Sequence, residues 1–330
     1  MYRKTHGYTC HLELTDKCNA ECPMCQRTGA SYLADKDLSL SEIKSIFSVD
    51  TLQHLNRVVA CGSFGDPMMA RDVYEITEYF IDAHPLLRVV FSTNGSLRDE
   101  DWWFRFGGLS RNQLVVMFCM DGTTQETHEM YRRNTSLDKI LRNAEAYISS
   151  GAVASWQFLP YKHSEHEVEQ AKELSLKMGF KQFEIVKTSR FAGQDSWKYV
   201  YDGKDYALEP STEYKNDNWE NEDSKIECKV QNVPEFYLDC EGYVVPCCYL
   251  GSPMYRGRRN LKHDDKWVKE AYTLWDGYDM EDFSALKHNV FDILNHKWFH
   301  NIEKMWNTNE PSICNQTCGN QKMSVIRLSL

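Results

Sequence analysis

The segment CHLELTDKCNAECPMC, residues 10–25, joins a short strand-like pattern to three closely spaced cysteines. Residues 10–16 have the pattern of a β-strand. Cys18, Cys22 and Cys25 follow directly, with the spacing C-x3-C-x2-C. Such a group is consistent with zinc ligands, with part of a disulfide framework, or with a site that carries out chemistry. The rest of the sequence decides among these interpretations.

Composition indicates a globular protein that keeps its cysteines reduced. The chain has 330 residues, 42% of them hydrophobic, which is enough for one large α/β domain and a smaller one. No apolar run reaches the roughly 18 residues of a membrane-spanning helix, and the N-terminus lacks the apolar region of a secretory signal. We therefore expect a cytoplasmic protein without a membrane partner, in which the twelve cysteines do not form disulfides. The net charge of −10 argues against a nucleic-acid partner.

Strand and helix patterns alternate through the first two thirds of the chain. Strands are predicted over residues 10–16, 57–62, 88–95, 113–122, 153–161 and 180–189. Helices are predicted over residues 39–47, 72–84, 99–106, 137–149 and 166–179. This alternation predicts an α/β fold with parallel strands, as an open sheet or a partial barrel. In both arrangements the functional site lies at the carboxyl ends of the strands, where CNAECPMC, GSFGDP, STNG and MDG occur.

The three-cysteine segment resembles the cluster-binding loop of the radical S-adenosylmethionine (SAM) superfamily. A zinc site needs four ligands, and the nearest fourth candidate, His11, lies on the preceding strand. Three thiolates and one open position instead suit an iron–sulfur cluster. The resemblance implies a partial (β/α)6 barrel and a [4Fe–4S] cluster on Cys18, Cys22 and Cys25. Its open iron would bind SAM, whose reductive cleavage gives a 5′-deoxyadenosyl radical that abstracts hydrogen.

Four further segments match the superfamily's SAM-binding motifs: GDP (65–67), STNG (92–95), CMDG (119–122) and E-x-H-x-x-x-R (126–132). Gly65-Asp66-Pro67 corresponds to the GGEP-like motif after the second strand, with Asp in place of Glu. Two departures are Met24, where an aromatic residue is usual, and Cys119, where Ser is usual. Arg132 is the expected partner of the SAM carboxylate, with Arg133 as an alternative. The residues that the resemblance assigns to SAM are Met24, Gly65, Asp66, Pro67, Ser92, Asn94, Asp121 and Arg132.

The sequence changes character near residue 202. Residues 1–201 are predicted to form the barrel, residues 202–227 an acidic linker, and residues 228–330 a small Cys-rich α+β domain with C-terminal helices. The last segment resembles a twitch domain, a short relative of the SPASM extension, which implies one auxiliary [4Fe–4S] cluster. Its expected ligands are Cys228, Cys247, Cys314 and Cys318. Cys240 and Cys248 lie outside the pattern, although Cys248 competes with its neighbour Cys247, and the same four thiolates also suit structural zinc.

The sequence leaves the substrate open. Gln157, His163, Lys187 and Arg190 lie at or beyond the ends of the fifth and sixth predicted strands, where a barrel presents side chains to a substrate. Only 17 residues precede Cys18, so we expect no peptide-leader domain, which favours a small polyol or nucleotide-like substrate. The alternatives are a peptide maturase with a separate delivery partner and a non-catalytic zinc-binding module. The resemblance also implies a one-electron donor such as flavodoxin or ferredoxin.

Overall fold

A computed structural model describes most of the chain. The described residues are 7–28, 30–110, 112–188, 190–191, 193–214, 226–228, 230, 233–259, 266–275, 277–305, 312–318 and 325–329. They belong to two compact units. Unit 1 comprises Met1–Lys17, Ala30–Val89 and Glu220–Lys322, and unit 2 comprises Cys18–Gly29, Val90–Trp219 and Met323–Leu330.

Strands and helices alternate as the sequence predicts. The strands are β1 (Tyr8–Leu12), β2 (Leu55–Ala60), β3 (Arg88–Thr93), β4 (Leu114–Cys119), β5 (Val153–Phe158), β6 (Gln182–Val186), β7 (Trp197–Tyr201), β8 (Lys204–Leu208), β9 (Glu235–Leu238), β10 (Val244–Val245) and β11 (Val325–Ser329). The helices are α1 (Leu40–Ile46), α2 (Val49–Leu52), α3 (Val73–Ala83), α4 (Glu100–Gly108), α5 (Gln125–Glu129), α6 (Leu137–Ser149), α7 (Val168–Met178), α8 (Cys248–Arg259), α9 (Lys266–Trp275), α10 (Val290–Leu294), α11 (Lys297–Met305) and α12 (Ser312–Cys318). Among the described residues, no helix is both long and apolar enough to cross a membrane.

Unit 1 is built on the strand order β10-β9-β1-β2. β1 runs parallel to both of its neighbours, β2 and β9, while β10 is antiparallel to β9. β1 is therefore flanked on both sides, which fits its buried apolar residues Cys10 and Leu12. α1 begins at a capping box, in which the side chains of Ser39 and Glu42 bond each other's backbone amides.

Unit 2 is built on the strand order β3-β4-β5-β6-β11. β4, β5 and β6 are parallel, and β11 closes the edge antiparallel to β6. One face of these strands packs on α4 and α6, where the ring of Phe118 lies 5.1 Å from Trp103 and 6.1 Å from Tyr147. β7 and β8 form a separate antiparallel hairpin. Helices on parallel strands confirm the mixed α/β class, whereas the partial barrel stays a prediction.

The compact units group the chain differently from the predicted segments 1–201, 202–227 and 228–330. β8 lies within the predicted acidic linker, because the Asp202-Gly203 turn reverses the chain and lets Lys204–Leu208 pair with β7. β9 pairs with β1 from the start of the chain, since an exposed edge of β1 would leave its backbone groups unpaired. Residues 215–225 of the predicted linker lie outside the described residues.

The loop after β2 depends on glycine at position 65. A Cβ atom on Gly65 would lie 1.8 Å from the carbonyl oxygen of Thr15. A Cβ atom on Gly62 would meet the carbonyl oxygen of Gly65 at the same distance. Both positions are close backbone approaches that only glycine allows.

We expect Gly65→Ala to lower the free energy of unfolding by about 3 kcal/mol, because the added methyl group forces the loop away from Thr15. Gly108→Ala is the matched control, since no atom lies within 4 Å of a Cβ there. On α4 that control should raise stability by about 0.5–1 kcal/mol. Urea denaturation followed by circular dichroism measures both changes. Equal effects of the two substitutions would contradict the steric argument.

Candidate cofactor sites

The three-cysteine loop forms a tight turn in unit 2. The amide of Cys25 donates to the carbonyl of Cys22 at 3.0 Å, and the hydroxyl of Thr28 donates to the same carbonyl at 2.7 Å. Cys22 and Met24 are buried, while Cys18 and Cys25 are half-buried at the edge of the same hydrophobic cluster. Burial raises the pKa of the Cys22 thiol to about 11. The loop thus presents three thiols from one short, folded segment.

Asn94 connects the end of β3 to this loop. Its side-chain amide donates to Oδ1 of Asn19 at 3.0 Å and lies 3.8 Å from the sulfur of Cys18. Ser92, two residues earlier, lies elsewhere, with its hydroxyl oxygen 3.3 Å from the sulfur of Cys119. Asn94 therefore lies beside the loop, whereas Ser92 on β3 contacts Cys119 on β4.

Asp121 and Arg132 form an ion pair in unit 2, in which the arginine is half-buried. The Asp121 carboxylate is fully buried, and it accepts from Nε of Arg132 at 2.6 Å and from the amide of Leu159 at 2.8 Å. A buried carboxylate is stable only when it is paired and hydrogen-bonded in this way. Arg132 in turn lies close enough to Cys22 for its charge to favour the thiolate. Asp121 thus orients Arg132, rather than offering its own oxygens to a ligand.

His128 supports this ion pair through hydrogen bonds to the backbone near both partners, a role that the sequence did not reveal. Its Nδ1 accepts from the amide of Asp121 at 3.4 Å, and its Nε2 lies 3.0 Å from the hydroxyl of Thr135. That hydroxyl donates to the carbonyl of Arg132 at 2.6 Å, so Nε2 carries the proton. Burial, together with the charge of Arg132, lowers the pKa of His128 to about 3. The signal in the sequence is the E-x-H-x-x-x-R spacing of Glu126, His128 and Arg132.

The Gly65-Asp66-Pro67 segment in unit 1 is shaped by two buried carboxylates. Asp66 is 5% exposed, and its carboxylate caps the turn by accepting from the amide of Met68 at 3.0 Å. Glu13 on the strand side accepts from the amides of Phe64 and Gly65 at 2.6 and 3.0 Å. The hydroxyl of Tyr237 donates to the other oxygen of Glu13. Sequence reasoning missed Glu13, because a glutamate in a strand pattern is usually solvent-exposed.

Glu13 gives unit 1 a distinctive pH dependence. Burial raises its pKa to about 7, although the hydrogen bonds from Tyr237, Phe64 and Gly65 act in the opposite direction. The folded state therefore holds this proton more tightly than the unfolded state does. The contribution of Glu13 to the free energy of unfolding is fully present below its unfolded pKa of roughly 4.5 and is lost as the pH rises through 7.

We expect the free energy of unfolding of the wild type to fall by about 3 kcal/mol between pH 4.5 and pH 7, and we expect Glu13→Gln to abolish this fall. The amide oxygen still accepts from Phe64 and Gly65, but the side chain no longer titrates. Urea midpoints across this pH range, compared with those of the control Glu75→Gln on the exposed face of α3, test the prediction. A wild-type slope that persists in Glu13→Gln would refute it.

The four predicted auxiliary cysteines line one pocket in unit 1. The empty volume of this pocket, including the part that is open to solvent, is about 330 Å³. Cys228, Cys247, Cys314 and Cys318 line it together with apolar side chains such as Leu250 and Ile313. A hydrogen bond with Cys318 and burial hold the pKa of the Cys228 thiol well above its usual range. These residues converge although they are up to 90 positions apart in sequence (318 − 228).

The two remaining C-terminal cysteines point away from this pocket. Cys248 forms a hydrogen bond with His11, whose Nε2 also lies 3.1 Å from the sulfur of Cys61. Cys240 is buried in a separate hydrophobic cluster with Phe64 and Tyr255. Within the described part of the chain, no three His, Cys, Asp or Glu side chains are grouped tightly enough for a single metal ion. A four-iron cluster is larger and binds each thiolate through a different iron, so its ligands need not meet at one point.

The predicted substrate-facing residues divide into three environments. Gln157 is half-buried and accepts from the thiol of Cys119 at 3.6 Å. His163 stacks on the ring of Tyr161 with 5.7 Å between the ring centroids. Arg190 contacts the carbonyl of Met24, whereas Lys187 is half-buried after β6. Gln157 and Arg190 thus each have a hydrogen-bond partner in unit 2.

Residues 12–174 match the family model of the Radical SAM superfamily. Those residues belong to the radical SAM superfamily. A curated relative, the AdoMet-dependent heme synthase of Methanosarcina barkeri, is 28% identical over 188 residues, which cover 54% of this chain. This chain spans about half the length of that relative, since the match covers 50% of it. The predicted superfamily is confirmed, while the twitch extension stays a prediction.

Two solved structures with bound AdoMet share the fold. The structure described as anSMEcpe with bound AdoMet has a TM-score of 0.58 and 15% sequence identity, and covers 91% of this chain and 83% of its own. BtrN in complex with AdoMet and 2-DOIA has a TM-score of 0.52 and 13% identity, with 98% and 100% covered. At these identities the likeness concerns the fold alone.

Proposed function

We propose that this chain is a radical SAM enzyme that abstracts a hydrogen atom from an unactivated C–H bond of its substrate. One observation carries the proposal: the three-cysteine loop, which lies within the matched residues 12–174, has a half-buried arginine beside it that a buried carboxylate orients. When bound, a [4Fe–4S] cluster and SAM supply a 5′-deoxyadenosyl radical. The chain's own contribution is to hold, orient and shield these groups.

Several of the predicted residues have distinct tasks in this proposal. Cys18, Cys22 and Cys25 would bind the cluster, and the turn around the Cys22 carbonyl fixes their spacing. Arg132 would bind the carboxylate of SAM through the guanidinium nitrogens that Asp121 leaves unoccupied. Asn94 would contribute polar contacts near Cys18. The peptide carbonyls of Gly65-Asp66-Pro67 suit the amino group of SAM, because the carboxylate of Asp66 already caps its own turn.

The pocket of four thiols supports one auxiliary [4Fe–4S] cluster. Cys228, Cys247, Cys314 and Cys318 all line it, which matches the four ligands of a fully coordinated cluster. Such a cluster leaves no iron open to substrate. It suits electron transfer, which favours an oxidation or a bond-forming reaction after hydrogen abstraction.

A small polar molecule is the substrate class that we favour. The heme synthase name of the curated relative and the 2-DOIA complex of BtrN both concern small molecules, and they support this choice. A peptide remains the alternative, with a separate delivery partner. We also propose a cytoplasmic location and a flavodoxin- or ferredoxin-like electron donor.

We expect the wild type to bind about eight irons per chain after anaerobic reconstitution, and the Cys18/Cys22/Cys25→Ala variant about four. Dithionite should yield 5′-deoxyadenosine from SAM with the wild type and with the control variant, but not with the triple variant. Cys10→Ala is the control, because that buried thiol lies on β1 and outside both groups. Iron and acid-labile sulfide analyses give the counts. Zinc without iron in all three proteins would overturn the radical mechanism and favour a zinc-binding module.

The pocket also predicts which of two adjacent cysteines binds the auxiliary cluster. Cys247→Ala should lose up to about four irons, because its thiol lines the pocket, whereas Cys248→Ala should retain them. Iron analysis and the visible absorption of both variants measure this difference. The reverse pattern would assign the ligand to Cys248 and would separate His11 from its thiol partner.

A further inference from the structure

Arg190 contacts the three-cysteine loop from the end of β6. Its Nη1 lies 3.4 Å from the carbonyl oxygen of Met24, which it approaches as a donor. The same nitrogen donates to the hydroxyl of Tyr131. Tyr131 is buried in the hydrophobic cluster that contains Cys22 and Met24. One guanidinium therefore joins the loop to a residue of its own packing cluster.

The contact falls on the half of the loop that contains Cys22 and Cys25. The first half has its own anchors, since the amide of Glu21 donates to the carbonyl of Arg133 at 3.0 Å. The side chain of Asn134 likewise donates to the carbonyl of Asn19 at 2.8 Å. Arg190 supplies the corresponding anchor for the second half, next to the third cysteine.

Arg190 also places a permanent positive charge beside the thiols. Cys22 and Cys25 both interact electrostatically with its guanidinium. The side chain is partly open to solvent, so screening moderates this interaction but does not remove it. Arginine and lysine both carry this positive charge at physiological pH. The planar guanidinium, however, holds Nη1 in one orientation toward both acceptors, whereas the ammonium of a lysine rotates on a flexible stem.

We propose that Arg190 is a positioning residue for the cysteine loop, rather than a contact for substrate. It clamps the Met24 carbonyl to Tyr131 and so holds the half of the loop that contains Cys22 and Cys25. This inference rests on the proposed function, because it assumes that these thiolates bind a cluster. It also reassigns a residue that the sequence alone placed at the substrate.

The test compares Arg190→Met, Arg190→Lys and Tyr131→Phe with the wild type as anaerobically reconstituted full-length chains. The first readout is the rate of iron loss to an Fe(II) chelator. The second is the midpoint potential of the cluster whose electron paramagnetic resonance signal responds to SAM. Lys187→Met is the matched control, because it removes a positive charge from the same strand end.

Arg190→Met should lose iron several-fold faster and shift the midpoint potential to lower values, since a nearby positive charge favours the reduced cluster. Arg190→Lys should restore the potential but not the iron retention, and Tyr131→Phe should affect retention alone. Lys187→Met should match the wild type. Wild-type retention and potential in Arg190→Met would overturn the proposal, as would a change confined to the dissociation constant of SAM. Failure of the wild type to take up iron on Cys18, Cys22 and Cys25 would instead overturn the proposed function.

Discussion

The salt bridge between Asp121 and Arg132 is the constraint on which the unit 2 site depends. The carboxylate is fully buried, and removing its partner would leave an uncompensated charge. Neighbouring polar groups support this pair: the Leu159 amide donates to the carboxylate, and His128 bonds the Asp121 amide and, through the Thr135 hydroxyl, the Arg132 carbonyl. The result is an arginine beside Cys22 whose orientation is set before any ligand arrives, which reduces the cost of ordering it on binding.

Unit 1 uses the same device with a different acid. Glu13 bonds two successive amides of the loop after β2 and the hydroxyl of Tyr237, so a buried carboxylate shapes the GSFGDP segment. The cost appears as the raised pKa of Glu13. Glycines at positions 62 and 65 are the other half of this arrangement, because a Cβ atom at position 65 would meet the Thr15 carbonyl and one at position 62 would meet the Gly65 carbonyl. The shape of the GSFGDP segment thus depends on residues outside it.

The cysteines illustrate how burial separates neighbours in sequence. Cys247 and Cys248 are adjacent, yet one lines the four-thiol pocket and the other bonds His11. The sequence spacing leaves open which of the two is a cluster ligand, since moving the ligand by one residue still fits the pattern. The direction in which each side chain leaves the start of α8 decides which thiol can meet Cys228, Cys314 and Cys318.

The sequence by itself determined the alternation of strands and helices, the three-cysteine loop and the superfamily, because these depend on local periodicity and on residues close together in the chain. Only the tertiary structure decided the roles of Glu13, His128 and Arg190, whose partners lie between 7 and 224 positions away. It also decided that β9 pairs with β1 and that β8 forms a hairpin in the acidic segment. Buried polar groups must find partners wherever the fold supplies them, and no local pattern encodes that choice.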